Sequence, residues 1–311
     1  MALGRRAEEV DYNGLCSIVS LSMFVQTGED GMQSYRNDCD LASIELLACD
    51  MDCTLLDDAG RQPKCMPERI EALADAGVLF CPASGRPAPK LATMFPEHID
   101  RIALCSDNGG DVRYAGSTID RSRIDVAVYR EILAAGMVYP NCVPVLCAYG
   151  DTFIPQRDQA YADEVSRFYA TVSCVPSFEG IDIEANKVSL YLPNGNSRQA
   201  YEQTFRDRFG ATLSVVCAGE NWVDFMAAGV DKGSGLAHLC RHVGIEASNV
   251  AAVGDTYNDI SMLEFAGHSF VVDNAGPHMD EHARFRIPGN NDHGVAVLID
   301  AILEAKGHPF T

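Results

Sequence analysis

Short apolar runs that end at polar or turn-forming residues recur along this chain, and they constrain its fold more than any other feature. They are residues 44–49, 78–81, 102–105, 250–253 and 270–272. Segments with helical spacing separate most of them; residues 67–76, for example, begin with a proline and are followed by Gly77. Runs of this length are typical of buried parallel strands. The alternation of strands with helices predicts an α/β protein with a doubly wound, Rossmann-like parallel sheet.

Two segments depart from this pattern. Residues 121–222 mix helical stretches with short strands of their own, which indicates an inserted α/β domain. Residues 1–43 show no clear period, and we expect them to form an N-terminal extension. The chain of 311 residues is long enough for both, with a core predicted to comprise residues 44–120 and 223–311.

Charge and cysteine usage exclude several classes of function. The formal net charge is −20, from 24 basic and 44 acidic residues, so we expect no nucleic acid as a direct partner. No apolar stretch reaches the roughly 18 residues that suggest a membrane span, so no membrane partner is expected either. The 12 cysteines include no Cys-x-x-Cys pair, which argues against a zinc ribbon and favours a reduced, cytoplasmic protein.

The strand ends carry the candidate site, because ligands of such sheets bind beyond the carboxyl ends of the strands. The first strand ends at Asp50, and Asp52 follows two residues later. Two neighbouring carboxylates repel each other unless a divalent cation binds them. An ionised Asp50 held by a metal can attack phosphorus as a nucleophile. A protonated Asp52 can donate to the leaving oxygen and later take a proton from water.

Two further segments are suited to binding a phosphate group. Ser84 and Gly85 follow the second strand, and a hydroxyl with free amides in a glycine-containing loop can hold phosphate oxygens. Lys232 opens a predicted helix and can offset the negative charge that builds in a transition state. Taken alone, a Ser-Gly-Arg triplet also occurs in loops by chance, and an isolated lysine is more often a solvated surface residue.

The last cluster offers ligands for a metal ion. Asp255, Asn258 and Asp259 follow the buried strand at 250–253 and form an oxygen-rich group. Carboxylate and carbonyl oxygens are the ligands that Mg²⁺ takes in proteins. A parallel sheet brings its strand ends to one edge, so this cluster is expected to lie beside Asp50.

Taken in order, these segments resemble the motifs of the haloacid dehalogenase-like (HAD) hydrolase superfamily, and specifically its Cof-type phosphatase branch. The matching segments are Asp50-Met51-Asp52-Cys53-Thr54, Ser84-Gly85-Arg86, Lys232-Gly233 and the run from Gly254 to Asp259. Residues 106–110 and 290–295 also resemble family segments, and the resemblance covers roughly residues 44–305. It implies a HAD core with an α/β cap inserted between the second and third motifs.

The resemblance also implies roles for individual residues. The implied catalytic residues are Asp50 and Asp52, the implied phosphate- and substrate-binding residues Ser84, Gly85, Lys232 and Asn258, and the implied metal site Asp50, Asp52, Asp255 and Asp259. Mg²⁺ is expected on the carboxylates of Asp50 and Asp255 and on the backbone carbonyl of Asp52. Cys53 departs from the branch, which usually has glycine there; a positive φ at this position would strain a cysteine.

The expected activity is Mg²⁺-dependent hydrolysis of a small-molecule phosphate ester, such as a sugar phosphate or a phosphorylated cofactor, through an aspartyl phosphate. Two alternatives stay open: phosphoryl transfer to a sugar hydroxyl, as in phosphomutases, and a non-catalytic binding or regulatory protein on the same fold. The cap is expected to restrict access and select the substrate. We expect a monomer or a homodimer.

Overall fold

The structure, a computed structural model, describes residues 32–309. Its strands are β1 (Gln33–Ser34), β2 (Leu46–Cys49), β3 (Leu79–Pro82), β4 (Ala103–Ser106), β5 (Asp111–Tyr114), β6 (Ser117–Arg121), β7 (Val143–Ala148), β8 (Asp151–Pro155), β9 (Ser173–Val175), β10 (Lys187–Tyr191), β11 (Leu213–Cys217), β12 (Trp222–Ala227), β13 (Val250–Gly254), β14 (His268–Val272) and β15 (Phe285–Ile287). Its α-helices are α1 (Met66–Asp75), α2 (Ala88–Ala92), α3 (Val126–Val138), α4 (Ala162–Ser166), α5 (Ser197–Ala200), α6 (Arg206–Phe209), α7 (Lys232–Val243), α8 (Ile260–Phe265) and α9 (Gly294–Ala305). Among these residues, no helix has the length and apolar character that crossing a bilayer requires.

The core is built on a parallel sheet with the strand order β1-β15-β14-β13-β2-β3. Alternate residues of β2 face opposite sides: Leu47 and Cys49 pack in a cluster with α1 and α9. Leu46 and Ala48 pack on the other side with α7 and α8. Because both faces of the sheet are covered, its strands are apolar on both sides. The predicted doubly wound α/β core is confirmed.

A small antiparallel sheet, β4-β5-β6, adjoins the core. The predicted strand at residues 102–105 is its first member, and the bridge between Ala83 and Cys105 links it to the end of β3. This sheet leads the chain out of the core and into the inserted segment.

The inserted segment forms a second sheet with the order β11-β12-β10-β7-β8-β9. The side chains of β10 and β12 alternate between its two faces, as the pleat requires. Val188, Leu190 and Phe225 lie on one face, in an apolar cluster that includes residues of α3. Lys187 and Asp224 lie on the other face, from which they contact the core. The cap therefore presents polar side chains to the core.

Two boundaries in the structure differ from the expected ones. The core was expected to resume at residue 223, but Val223 to Ala227 pair with β10 and β11, so the cap sheet continues to residue 227. The N-terminal extension was expected to reach residue 43, but β1 pairs with β15 in the core sheet and Leu41 is buried against it. Strands of two residues are too short to show a period, which is why the sequence pattern missed β1. Residues 1–31 of that predicted extension lie outside the described residues.

Candidate active site

Asp50 lies where β2 leaves the core sheet, between β13 and β3. Its amide donates to the carbonyl of Val253 at 2.9 Å, so the strand ladder continues to this residue. The residue is 5% exposed. The next residues turn back at once, because the amides of Leu55 and Leu56 donate to the carbonyls of Asp50 and Met51. The carboxylate is thus held at the carboxyl edge of the sheet.

Cys53 occupies the position where the Cof branch usually has glycine. Its φ is +60°, in the left-handed region that favours glycine, so the expected strain is present. The side-chain Nδ2 of Asn274 donates to the Cys53 carbonyl at 2.7 Å and supports this turn. Burial and the nearby Asp255 raise the pKa of the Cys53 thiol to about 11, so it stays protonated at neutral pH and is poorly nucleophilic.

Lys232, the first residue of α7, is fully buried and points at Asp50. Its Nζ donates to Oδ1 of Asp50 and, at 2.6 Å, to Oδ1 of Asp259. Burial alone would lower the pKa of this ammonium, but the two carboxylates raise it well above its usual range. Gly233 allows the approach of α7 to α8, since a Cβ there would lie 2.4 Å from the carbonyl oxygen of Ser261. The Lys-Gly pair therefore has one residue for charge and one for close packing.

Asp255 and Asp259 lie beyond the end of β13, next to β2. Asp255 accepts a hydrogen bond from the hydroxyl of Thr54 at 2.9 Å. Oδ2 of Asp259 accepts from the amides of Asp255 and Thr256 at 2.9 and 3.1 Å, while its Oδ1 accepts from Lys232. Both oxygens of Asp259 are thus engaged in holding the loop and the lysine. This suits a supporting role better than direct coordination of a metal.

The cluster fits a divalent cation. Asp50, Asp255 and Asp259 each offer an oxygen, and these atoms all lie within 4.8 Å of one another. Three carboxylates beside one ammonium leave an excess of negative charge, and burial raises the pKa of Asp50 above its usual range. Burial and Asp259 raise the pKa of Asp255 to about 7. A bound divalent cation would offset the excess negative charge and favour the ionised form of these carboxylates.

An unsatisfied oxygen points to the same conclusion. Asn258 donates through Nδ2 to Oδ1 of Asn108 at 3.1 Å, but its own Oδ1 is buried and has no hydrogen-bond partner among residues 32–309. A buried amide oxygen without a partner is unfavourable, so a bound group that donates to it, such as a metal-bound water, is expected here.

Ser84 and Arg86 flank the turn that follows β3. The Ser84 side chain is buried, and its hydroxyl accepts from the amide of Arg86 at 3.2 Å. The Arg86 guanidinium binds both carboxylate oxygens of Asp52, at 2.9 and 2.6 Å. It also donates to the carbonyl of Arg167 in the cap at 2.8 Å and lies over the ring of Phe168. Arg86 therefore connects the second candidate acid with the cap.

One cavity of about 880 Å³ lies between the core and the cap. The core contributes Asp50, Asp52, Ser84, Gly85, Asp255 and Asn258 to its walls. The cap contributes Phe168, Tyr169, Lys187, Trp222 and Asp224. The four segments singled out in the sequence thus converge: Lys232 is buried directly behind this wall, where its ammonium contacts both Asp50 and Asp259.

Several residues of the site were missed by sequence reasoning. Thr54 and Arg86 lie inside recognised motifs but received no role. Asn108 lies in the turn after β4 and joins Asn258 to Asp224, to which it donates at 2.8 Å. Lys187 offered a signal, because it is a charged residue that begins an otherwise apolar strand and a lysine is rarely buried without a partner.

The architecture is a parallel α/β core whose acidic site is covered by an inserted α/β cap. A sequence profile described as haloacid dehalogenase-like hydrolase matches residues 47–299, and the chain belongs to this family as a Cof-type phosphatase. The predicted family and the predicted enzyme class are confirmed. Enzymes of this family generally use a divalent metal, and the acidic cluster described above is in keeping with that.

Two curated relatives cover almost the whole chain. The 5-amino-6-(5-phospho-D-ribitylamino)uracil phosphatase YwtE of Bacillus subtilis is 34% identical over 286 residues, which cover 85% of this chain and 99% of the relative. The enzyme of the same description from Escherichia coli, YbjI, is 29% identical over 273 residues, covering 86% and 99%. Both are similar to this chain from the core through the cap.

Solved structures share the fold. SMU.1108c from Streptococcus mutans superposes with a TM-score of 0.78 at 23% identity, covering 84% of this chain and 99% of that one. A HAD/COF-like hydrolase from Plasmodium vivax gives a TM-score of 0.75 at 22% identity, covering 85% and 96%. At these identities the likeness concerns the fold alone, including its cap.

Proposed function

We propose that the protein hydrolyses a small-molecule phosphomonoester through an aspartyl phosphate on Asp50, with Mg²⁺ as cofactor. The observation that carries this proposal is the contact between the Asp50 carboxylate and the ammonium of Lys232 at the base of the cavity. A carboxylate buried beside a cation and facing a substrate-sized cavity is suited to nucleophilic attack. Asp52 faces the same cavity.

The reaction proceeds in two displacements. In the first, an oxygen of Asp50 forms a bond to phosphorus, the ester P–O bond breaks, and Asp52 donates a proton to the leaving alcohol. In the second, Asp52 takes a proton from water as the water oxygen bonds to phosphorus and the bond from phosphorus to Asp50 breaks. Inorganic phosphate leaves and both carboxyl groups return to their starting states.

Other residues stabilise the transferring group. Lys232 offsets the charge that develops on the phosphoryl oxygens, because its ammonium is fixed in place and buried away from water. The Ser84 hydroxyl and the amides of the Gly85 loop bind phosphate oxygens from the opposite side. The unpaired oxygen of Asn258 would support the group by accepting from a water that also donates to the phosphate.

Asp50, Asp255 and the backbone carbonyl of Asp52 would hold the Mg²⁺ ion, and Asp259 would support it. When bound, the ion supplies charge that keeps Asp50 ionised and neutralises the phosphate. Without it, burial raises the pKa of Asp50 and disfavours the nucleophilic form.

The substrate is proposed to carry an aromatic heterocycle some distance from its phosphate. Two relatives are named as phosphatases of 5-amino-6-(5-phospho-D-ribitylamino)uracil, in which a ribityl chain separates phosphate from ring. On the cap side of this cavity, Phe168 and Trp222 lie with ring centroids 5.3 Å apart. An aromatic wall binds a flat ring well.

The test is phosphate release from a panel of esters with Mg²⁺ and with a chelator. The panel should include p-nitrophenyl phosphate, ribitol 5-phosphate, a hexose phosphate and the ribitylaminouracil phosphate. We expect Mg²⁺-dependent turnover, with the highest kcat/KM for the heterocyclic ester. Absence of turnover for every ester would refute the phosphatase assignment, and undiminished turnover in the chelator would refute the metal.

A further inference from the structure

Lys187 is a cap lysine that reaches into the core. It begins β10 and is 1% exposed. Its Nζ donates to the carbonyl oxygen of Gly85, in the turn of residues 84–86 that we call the phosphate loop. The same Nζ lies 3.1 Å from Oδ1 of Asp107 and 3.9 Å from Oδ2 of Asp224. A buried ammonium is stable only when such partners surround it.

Protein groups surround the ammonium of Lys187. An ammonium has three donors, and here a carbonyl and two carboxylates surround it within the part of the chain that the structure describes. Tyr169 covers another side, with its ring centroid 5.3 Å from Nζ. Lys187 lines the cavity, but its ammonium donates to the Gly85 carbonyl and lies beside two carboxylates, which favours a role in holding the protein over one in binding substrate.

The phosphate loop is held by three successive carbonyls. The Ser84 carbonyl accepts from the amide of Asn108, and the Arg86 carbonyl accepts from the amide of Asp107, both at 3.0 Å. The carbonyl between them, that of Gly85, accepts from Lys187. The core supplies the two outer contacts, and the cap supplies the middle one.

The direction of the middle carbonyl fixes the direction of an amide. In a trans peptide the C=O and the following N–H point in opposite directions, so holding the Gly85 oxygen orients the Arg86 N–H. That amide donates to the Ser84 hydroxyl oxygen at 3.2 Å. Holding the Gly85 carbonyl therefore also fixes the Ser84 hydroxyl, which the proposed function places on the phosphate.

We propose that Lys187 is a positioning residue through which the cap completes the phosphate-binding loop of the core. This inference rests on the proposed function, in which Ser84 and Gly85 bind phosphate. It means that the loop reaches its phosphate-binding geometry only when the cap is docked, so affinity for phosphate depends on a side chain from the other domain.

A single and a double variant separate the loss of the Lys187 contact from the loss of its charge. Lys187→Met removes the ammonium but leaves two buried carboxylates without a cation, which can prevent folding. The double variant Lys187→Met/Asp107→Asn removes one positive and one negative charge, so its net charge equals that of the wild type. Lys90→Met is the matched control, because Lys90 also donates across the interface, to the Ser166 carbonyl at 3.0 Å, but does not touch the loop.

The measurement is the affinity for inorganic phosphate, as the inhibition constant against p-nitrophenyl phosphate and as a calorimetric Kd with Mg²⁺ present. In the double variant we expect both constants, and the KM, to rise at least about tenfold, as for the loss of a charge-assisted hydrogen bond. The Lys90→Met control should change them by less than about twofold.

Three results would overturn the proposal. A lower melting temperature with an unchanged Kd for phosphate would make Lys187 a scaffold residue only. A raised KM with an unchanged Kd for phosphate would mean that it contacts the leaving group directly. If the wild type binds phosphate but hydrolyses no ester, the proposed function fails while the calorimetric comparison still decides the role of Lys187. If the wild type binds no phosphate, both the phosphate-binding role of the loop and the positioning role of Lys187 are refuted.

Discussion

Arg86 binds both carboxylate oxygens of Asp52 and, with its remaining guanidinium nitrogen, the Arg167 carbonyl of the cap. One side chain thus fixes the proposed general acid and base relative to the domain that covers the cavity. A bidentate arginine–carboxylate pair is directional, so it sets the orientation of the carboxylate as well as its charge.

We therefore expect Arg86→Met to lower kcat at least about tenfold, because Asp52 loses its orientation. The Arg86→Lys variant should keep a kcat between those of Arg86→Met and the wild type, since lysine cannot bind both oxygens of Asp52 in a fixed plane. Steady-state kinetics with p-nitrophenyl phosphate measures both, and Lys90→Met is again the control. A kcat for Arg86→Met equal to that of the wild type would show that the contact is not needed for turnover.

Cys53 offers a prediction about stability. Its φ of +60° is strained for a residue with a Cβ, by roughly 1–2 kcal/mol. Cys53→Gly should raise the free energy of unfolding by about 0.5–1 kcal/mol after the larger entropy of an unfolded glycine is counted. Cys53→Ala keeps the Cβ and should give no such gain. Urea unfolding compares the three proteins, and equal stability of the Gly and Ala variants would rule out backbone strain as the cause.

The pKa of Asp255, raised to about 7 by burial and by Asp259, predicts a pH dependence for the metal-free protein. The folded state then holds a proton that the unfolded state has already released near pH 4. Stability from this group is complete below that pH and is lost as the pH rises through 7. Between pH 5 and pH 8 we expect the free energy of unfolding of the wild type to fall by at least about 1 kcal/mol more than that of the Asp255→Asn variant.

Mg²⁺ should reverse that loss, because it binds the ionised carboxylate and stabilises the folded state more at pH 8 than at pH 5. Thermal unfolding with chelator and with Mg²⁺, at both pH values, provides the measurement. Parallel pH curves for the wild type and Asp255→Asn would show that Asp255 does not titrate in this range.

Trp222 is the residue with which we test the aromatic wall. It is 8% exposed and packs against Tyr191 with ring centroids 4.8 Å apart. Trp222→Leu keeps an apolar side chain but removes the flat surface, and kcat/KM for the heterocyclic ester should fall about tenfold, as loss of an aromatic contact predicts. Ribitol 5-phosphate, which has no ring, serves as the internal control. An equal fall for both esters would mean that the substitution disturbs the fold rather than ring binding.

The sequence predicted most of the core because its signals are local. Asp50 and Asp255 each follow an apolar run, and parallel strands bring their carboxyl ends to one edge. The convergence of these residues with Ser84 and Lys232 needed only the correct fold class. The glycine that the Cof branch usually has at position 53 is likewise explained locally, by the positive φ of this residue.

The cap contacts could not be predicted in the same way. Lys187 contacts Gly85 from 102 residues away and Asp224 contacts Asn108 from 116 residues away, and no local period encodes such pairing. The end of the cap at residue 227 was missed for a related reason: β12 is apolar apart from Asp224, which would suit either sheet, and only its pairing with β10 and β11 assigns it to the cap.

The covalent intermediate can be observed at Asp50 itself. Turnover of p-nitrophenyl phosphate should be quenched within milliseconds and treated with borohydride, which reduces an aspartyl phosphate to homoserine, followed by peptide mass analysis. We expect homoserine at position 50 in the wild type only when substrate and Mg²⁺ are both present. We also expect Asp50→Asn to lose at least about a thousandfold in kcat while it keeps its fold. Wild-type turnover without modification at Asp50, or an Asp50→Asn variant within about tenfold of wild type, would contradict the covalent mechanism.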